Sequence, residues 1–211
     1  MTTLVVIAKE PLPGKAKTRL HPPLTLAQAA ALAAASIDDT IAGVAGLPTT
    51  RRVLFYEGSR VPESARGYDV IAQPEGTLDE RLAALFDEAV DPMVLIGMDT
   101  PQVTAQHLAP AFSGWPASVD VWFGPSVDGG FWALGMREPH GDVIRGVPMS
   151  QTDTGAIQRD RLISAGLRVG MLPTLSDVDT IEDARTVARL APRTGFAVML
   201  NSFEADLGAA S

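Results

Sequence analysis

Leu4-Val5-Val6-Ile7-Ala8, running into Lys9-Glu10-Pro11-Leu12-Pro13-Gly14-Lys15-Ala16-Lys17-Thr18-Arg19-Leu20, is the stretch that decides the fold. Its first five residues are apolar without a break and mostly branched, as in a strand buried on both faces of a parallel sheet. Pro and Gly end the strand, and three cations follow within a few residues. In an open α/β sheet, ligands bind beyond the carboxyl ends of the strands. A loop there carrying Lys15, Lys17 and Arg19 can converge backbone N–H, ammonium and guanidinium donors on phosphate oxygens.

The pattern outward from this loop alternates. Thr25 and Gln28 form a capping box ahead of a helix that ends near Gly43 or Gly46. Val53–Tyr56 and Val70–Ala72 read as strands. Thr77 and Glu80 open a second helix with Leu78, Leu82, Leu85, Phe86 and Ala89 on its core face. Met93–Met98 is a buried strand ending at Asp99, and a short helix starts at Thr104. Val119–Phe123 and Gly130–Met136 read as strands around a Gly-rich connection. A helix after Asp153, a strand near Val169–Leu172 and a helix begun by Thr180 with Asp183 complete the series. The expectation is a three-layer α/β/α sandwich around a mostly parallel mixed sheet. Residues 192–211 have no clear place in it and are expected to form an accessory tail.

The chain has 211 residues, 46% of them hydrophobic, enough for one sizeable core, so a single domain over 1–211 is expected. The net charge of -8 sets the basic loop against the global trend and argues against nonspecific binding to nucleic acid or anionic membrane. The absence of cysteine excludes disulfides, thiolate nucleophiles and Cys-based zinc sites. No apolar run approaches the ~18–20 residues of a membrane span. No signal-peptide pattern opens the chain, so the expected location is cytoplasmic.

Several familiar motifs fail. Gly14-Lys15 is followed by Ala16 and lacks the earlier Gly of a Walker A loop. There is no G-x-G-x-x-G after the first strand and no G-x-S-x-G elbow, and His21, His107 and His140 are scattered. Carboxylates at strand ends remain. Asp99 follows a buried strand, Asp128 sits in Gly124-Pro125-Ser126-Val127-Asp128-Gly129-Gly130, and Asp177 and Asp179 precede a helix. Mg²⁺ takes one or two carboxylates plus phosphate oxygens, and Asp99 and Asp179 could hold such an ion beside the basic loop. Taken singly, each signal has a simpler reading. Asp99 could start the turn before Pro101, Asp179 could serve the following helix, Gly129-Gly130 could mark a hairpin, and the cations could be a solvated face.

The order AKEPLPGKAKTRL, QPEGTLDERL, IGMDTP, GPSVDGGFWALGM and DVDTIEDA resembles the radical-SAM/selenodomain-associated, glycosyltransferase-like family of bacterial transferases, from about Leu4 to Ala191. That family has the GT-A, nucleotide-diphospho-sugar transferase fold, shared with the molybdenum-cofactor and 2-phospho-L-lactate guanylyltransferases. The resemblance implies a nucleotide site on the Lys9–Arg19 loop, including Gly14, with Lys15, Lys17 and Arg19 on phosphates. Gln73, Gly76 and Arg81 match a second segment near the nucleotide. Asp99 and Asp179 match the metal ligands, with Asp177 beside them, for Mg²⁺ or Mn²⁺. Asp128, Gly129 and Gly130 match the acceptor side. Relatives often carry Asp-Cys-Pro where this chain has Asp99-Thr100-Pro101, and Trp-Ser-Thr near Met149–Thr152.

The expected activity is metal-dependent transfer from a nucleotide or nucleotide-sugar donor to a small-molecule acceptor, with Asp99, Asp128 and Lys17 as the catalytic set. Asp128 is the candidate general base. The alternatives are nucleotidyl transfer to a phosphorylated small molecule and nucleotide binding without catalysis.

Overall fold

Strand β1 (Thr2–Lys9) feeds two cores with alternate residues. Leu4, Val6 and Ala8 pack with Ala33, Ile37 and Ile41 of helix α1 (Leu26–Gly43). Val5 packs on the opposite face with Leu82, Ala83 and Phe86 of α2 (Leu78–Asp87). Side chains alternate across a strand, so helices on both faces require an apolar run without polar breaks. Each Val or Leu buried in this way contributes about 1.5–3 kcal/mol relative to exposure.

The computed structural model describes residues 2–209. The other strands are β2 (Thr49–Glu57), β3 (Asp69–Ala72), β4 (Met93–Gly97), β5 (Val121–Pro125), β6 (Phe131–Met136) and β7 (Val169–Met171). They form one seven-stranded sheet in the order β3-β2-β1-β4-β6-β5-β7. β6 runs antiparallel to both neighbours, and every other pairing is parallel. This is the mostly parallel mixed sheet that the sequence predicts. β2 begins four residues before the expected Val53, because Thr49–Arg52 are polar and their strand character comes from the ladder with β1. Arg51 is held there by Asp69 of β3 at 2.6 Å.

Helix starts follow local chemistry. The capping boxes of Thr25 with Gln28, Thr77 with Glu80 and Thr180 with Asp183 open α1, α2 and α5 (Ile181–Leu190). Each satisfies two backbone donors that a helix start leaves unpaired. Helices α3 (Ala105–Phe112) and α4 (Thr154–Ser164) start at the expected places.

The segment after Pro192 carries a helix, α6 (Gly195–Ala209), whose Phe196, Ala197 and Leu200 are buried. They pack with Leu32 of α1 and with Ala184 and Val187 of α5 in a third apolar cluster. Residues 210–211 of the expected tail lie outside the described residues.

Candidate active site

A cleft of about 650 Å³ lies over the carboxyl ends of β1, β2 and β4 and the start of β6. Its cationic side comes from Lys9 and Lys15, both exposed. Among the described residues neither forms an ion pair, so both are free to meet an anion. Gly14, at φ 76, turns the loop that carries Lys15.

Gln73 and Arg81 line the cleft on the α2 side. The Gln73 amide donates to the carbonyls of Ala8 and Phe55, each at 3.0 Å, tying the ends of β1 and β2 together. Its oxygen accepts from Arg81 Nη1 at 2.8 Å, and Arg81 also pairs with Glu57 at 2.8 Å. The guanidinium is thus held in place by a strand-end carboxylate and an amide. Gly76 belongs to the turn that opens α2. A Cβ there would stand 2.7 Å from the Glu80 carboxylate that caps the helix.

The carboxylate side is assembled by three chain segments. Asp128 sits in the β5–β6 turn, where Ser126 N–H donates to the Gly130 carbonyl at 3.1 Å and Gly130 N–H to Asp128 Oδ1 at 2.8 Å. Gly129 serves more than a hairpin. At φ 93, its missing Cβ would lie 1.8 Å from the Thr152 carbonyl, so the turn packs directly on the chain leading into α4. The segment after β7 continues beside β5: Val127 N–H donates to the Leu175 carbonyl at 3.0 Å, and Val178 N–H to the Asp99 carbonyl at 3.0 Å. These bonds bring one oxygen each of Asp128, Asp177 and Asp179 within 4.8 Å of one another. Burial, then the charges of Asp128 and Asp179, push the Asp177 carboxyl up to about 7. Such a donor set suits a hard divalent cation, whose charge would relieve that crowding.

Asp99 lines the cleft but is not a member of this group. Its Oδ1 lies 2.8 Å from Lys17 Nζ, which also stands 3.3 Å from Asp179 Oδ1 and donates to the Val178 carbonyl. Lys17 therefore meets carboxylates here, where the sequence led us to expect phosphate. Its side chain is only 7% exposed. Burial alone would lower its pKa, but Asp99 and Asp179 more than reverse this and hold it above the ordinary lysine value. Exposed Arg19 reaches Asp179 Oδ2 at 3.3 Å.

Residues 40–151 match the family described as "Uncharacterized protein conserved in bacteria (DUF2064)", over more than half of the chain. The chain belongs to this family. No curated protein matches the sequence. Among solved structures, a candidate nucleotide-diphospho-sugar transferase from Desulfovibrio desulfuricans G20 is 26% identical, with a TM-score of 0.84. That match covers 97% of this chain and 95% of the other. A nucleotidyl transferase from Methanothermobacter thermautotrophicus is 16% identical with a TM-score of 0.57, covering 91% and 98%. Glucosyl-3-phosphoglycerate synthase from Mycobacterium tuberculosis, solved with Mn²⁺, UDP and glucosyl-3-phosphoglycerate, is 12% identical with a TM-score of 0.52, covering 89% and 76%. The last two likenesses bear on fold alone. The family member described here thus has the GT-A architecture, and its structural neighbours are transferases.

The sequence reading missed Glu57 and the part of the cleft's apolar wall formed by Phe131 and Trp132. Glu57 ends β2, so the rule that ligands gather at strand ends was the available signal. The wall had none, because Phe131 and Trp132 read equally well as strand core.

Proposed function

We propose that the protein is a divalent-metal-dependent transferase that moves a glycosyl group from a nucleoside-diphosphate sugar to a hydroxyl of a small-molecule acceptor. One observation carries this reading: unpaired Lys9 and Lys15 line the same cleft, at the carboxyl ends of the strands, as Asp128 and Asp177 of the carboxylate group. Lys9, Lys15 and Arg19 would hold the donor's phosphates, with Gly14 shaping the loop. Gln73, Gly76 and Arg81 would hold the nucleoside end. Asp99, Asp177 and Asp179 would hold Mg²⁺ or Mn²⁺, which would neutralise charge on the departing diphosphate. Lys17 adds a fixed positive charge beside it. Asp128, the exposed member of the group, also lines the cleft, with Gly129 and Gly130 keeping the backbone close behind it. Its carboxylate would take the acceptor's hydroxyl proton as that oxygen attacks the anomeric carbon and the bond to the diphosphate oxygen breaks.

The alternative is nucleotidyl transfer to a phosphorylated small molecule, favoured by the fold likeness to nucleotidyltransferases. The engagement of Lys17 with Asp99 and Asp179 speaks for the glycosyl reading, since it leaves one fewer free cation for a triphosphate. The proposal includes the finer family placement, with the radical-SAM/selenodomain-associated transferases, on the motifs quoted above. It also includes a single domain and a cytoplasmic location; no helix among the described residues is long and apolar enough to cross a membrane.

Product analysis tests it. Nucleoside diphosphate released from a sugar nucleotide supports the proposal, and pyrophosphate released from GTP or CTP supports the alternative. Binding of either nucleotide class with no turnover across an acceptor panel would leave a nucleotide-binding protein without catalysis.

A further inference from the structure

The cleft is divided by charge. The cations that line it, Lys9, Lys15 and Arg81, come from β1, the loop after it and α2. From Gly97 onward the lining holds Asp99, Asp128 and Asp177 and, among the described residues, no Lys, Arg or His. The Lys17 ammonium that reaches these aspartates is already held by Asp99, Asp179 and the Val178 carbonyl. Beside Asp128 the wall turns apolar. Phe131 follows the Asp128 turn directly, and Met149 enters from the chain ahead of α4; both are half-buried and pack on the core that contains Leu95 and Leu134. The Phe131 ring meets that of Phe123 with centroids 5.5 Å apart. The Met149 segment is pinned to the same turn. Gly155 N–H donates to the Gly129 carbonyl at 2.8 Å, and the Thr154 hydroxyl donates to the Pro148 carbonyl at 2.8 Å and accepts from Gln151 N–H at 3.0 Å. Between these anchors Ser150 takes a left-handed backbone, at φ 60, which an L side chain keeps only where its surroundings impose it. The wall is thus built before any ligand arrives, with Ser150 and Gln151 adding neutral hydrogen-bonding groups to the lining.

We propose that the Phe131–Met149 wall seats the acceptor, and that the acceptor is an uncharged alcohol with an apolar body rather than a phosphorylated compound or a polyol. The proposal rests on the transferase reading above and names its acceptor class. A phosphate on the acceptor would face carboxylates with no free cation to meet it, and desolvating an anion without a partner is costly. An apolar body instead gains by removing Phe131 and Met149 from water. The alcohol's proton passes to Asp128 as its oxygen bonds the anomeric carbon, and the donor leaves as nucleoside diphosphate. Phe131 and Met149 then determine specificity, while the charged half of the cleft serves the donor.

Ligand-observed NMR in the presence of Mg²⁺ tests this without any assay of turnover. The probes are benzyl alcohol, cyclohexylmethanol, glycerol and glycerol 3-phosphate. The two apolar alcohols should bind about tenfold or more tightly than glycerol and glycerol 3-phosphate, and added UDP should not displace them. Met149→Lys, whose long stem can carry its charge to the rim, should weaken the alcohols and admit glycerol 3-phosphate. Wild-type protein that binds neither alcohol, or binds glycerol 3-phosphate as tightly, would overturn the proposal. So would displacement of benzyl alcohol by UDP, which would seat the nucleoside on the apolar wall, or an unchanged preference in a folded Met149→Lys protein. Should Met149→Lys fail to fold, the wild-type panel and the UDP competition decide alone. UDP release from UDP-glucose, measured with the same four compounds, keeps the two readings apart. Release stimulated most by glycerol 3-phosphate would keep the transferase reading and remove this acceptor. Alcohol binding accompanied by pyrophosphate release from GTP would remove the glycosyl reading and leave the apolar acceptor seat standing.

Discussion

The carboxylate of Asp39, on α1, accepts the backbone N–H of Phe196 at 2.7 Å and that of Gly195 at 3.0 Å, from a residue pair more than 150 positions later in the chain. It caps α6 from outside, satisfying two of the donors that a helix start leaves unpaired. Asp39→Ala should therefore cost about 1 kcal/mol, within the range for lost helix caps. Urea unfolding should show a lower midpoint with an unchanged slope. An unchanged midpoint would mean that α6 is held by its apolar face and the Thr194 hydroxyl on Ala197 N–H without help from Asp39.

Asp177 gives the apoprotein a specific pH dependence. Its carboxyl is raised from 3.8 to about 7 in the folded state, first by burial and then by Asp128 and Asp179. Between those values the folded chain holds a proton that the unfolded chain has lost, so stability falls as pH rises from about 4 to about 7. Asp177→Asn removes this slope. In the absence of divalent ions the variant should be more stable than wild type at pH 8 and no more stable near pH 4. Parallel pH profiles for the two proteins, measured by urea unfolding, would contradict this.

Gly129 is a steric prediction. A Cβ at this position meets the Thr152 carbonyl at 1.8 Å, and the backbone is at φ 93. Gly129→Ala strains both, so it should destabilise the protein by at least ~2 kcal/mol, well above the usual surface substitution. Gly114→Ala, with nothing within 4 Å of its Cβ but also at positive φ (101), isolates the backbone contribution in the same thermal-unfolding experiment. Equal losses at the two positions would show that the approach to Thr152 is not what demands glycine.

Lys15 and Lys17 should separate. Lys15 is exposed, lines the cleft and has no ion pair among the described residues. Lys15→Ala should leave stability alone and weaken nucleotide binding by about 1.5–3 kcal/mol, the range for hydrogen bonds to charged groups. Lys17→Ala should instead lower stability, because it strips Asp99 and Asp179 of their shared cation. Calorimetry with UDP-glucose or GTP, paired with thermal unfolding, distinguishes the two. A Lys15 variant with wild-type affinity would take the phosphates away from this side of the cleft.

The signals legible in the chain were those that act over a few residues. Three capping boxes placed helix starts because a hydroxyl and a carboxylate or amide three positions apart can satisfy each other's backbone donors. The apolar run of β1 placed a strand between two helical layers because alternate side chains must both find a core. Thr49–Arg52 of β2 stayed hidden because polar residues take strand geometry only when a neighbour supplies the ladder. Helix α6 stayed hidden because Thr194 supplies only part of its cap, Asp39 of α1 supplying the rest, and its buried face belongs to a cluster shared with α1 and α5.

The sequence by itself determined the α/β class, the order of strands and helices as far as α5, and the supply of cations and carboxylates at strand ends. Only the tertiary structure decided which of those charges meet. Lys15, Lys17 and Arg19 look alike in sequence, yet one faces the cleft and two face Asp179 or Asp99. Asp99, Asp128, Asp177 and Asp179 also look alike, yet the last three gather, while Lys17 lies between Asp99 and Asp179. Pairing between charges depends on separations of a few ångströms and on local burial. Those separations are set by the sheet order, which places β4 beside β6 and carries the chain after β7 back along β5 to the end of β4.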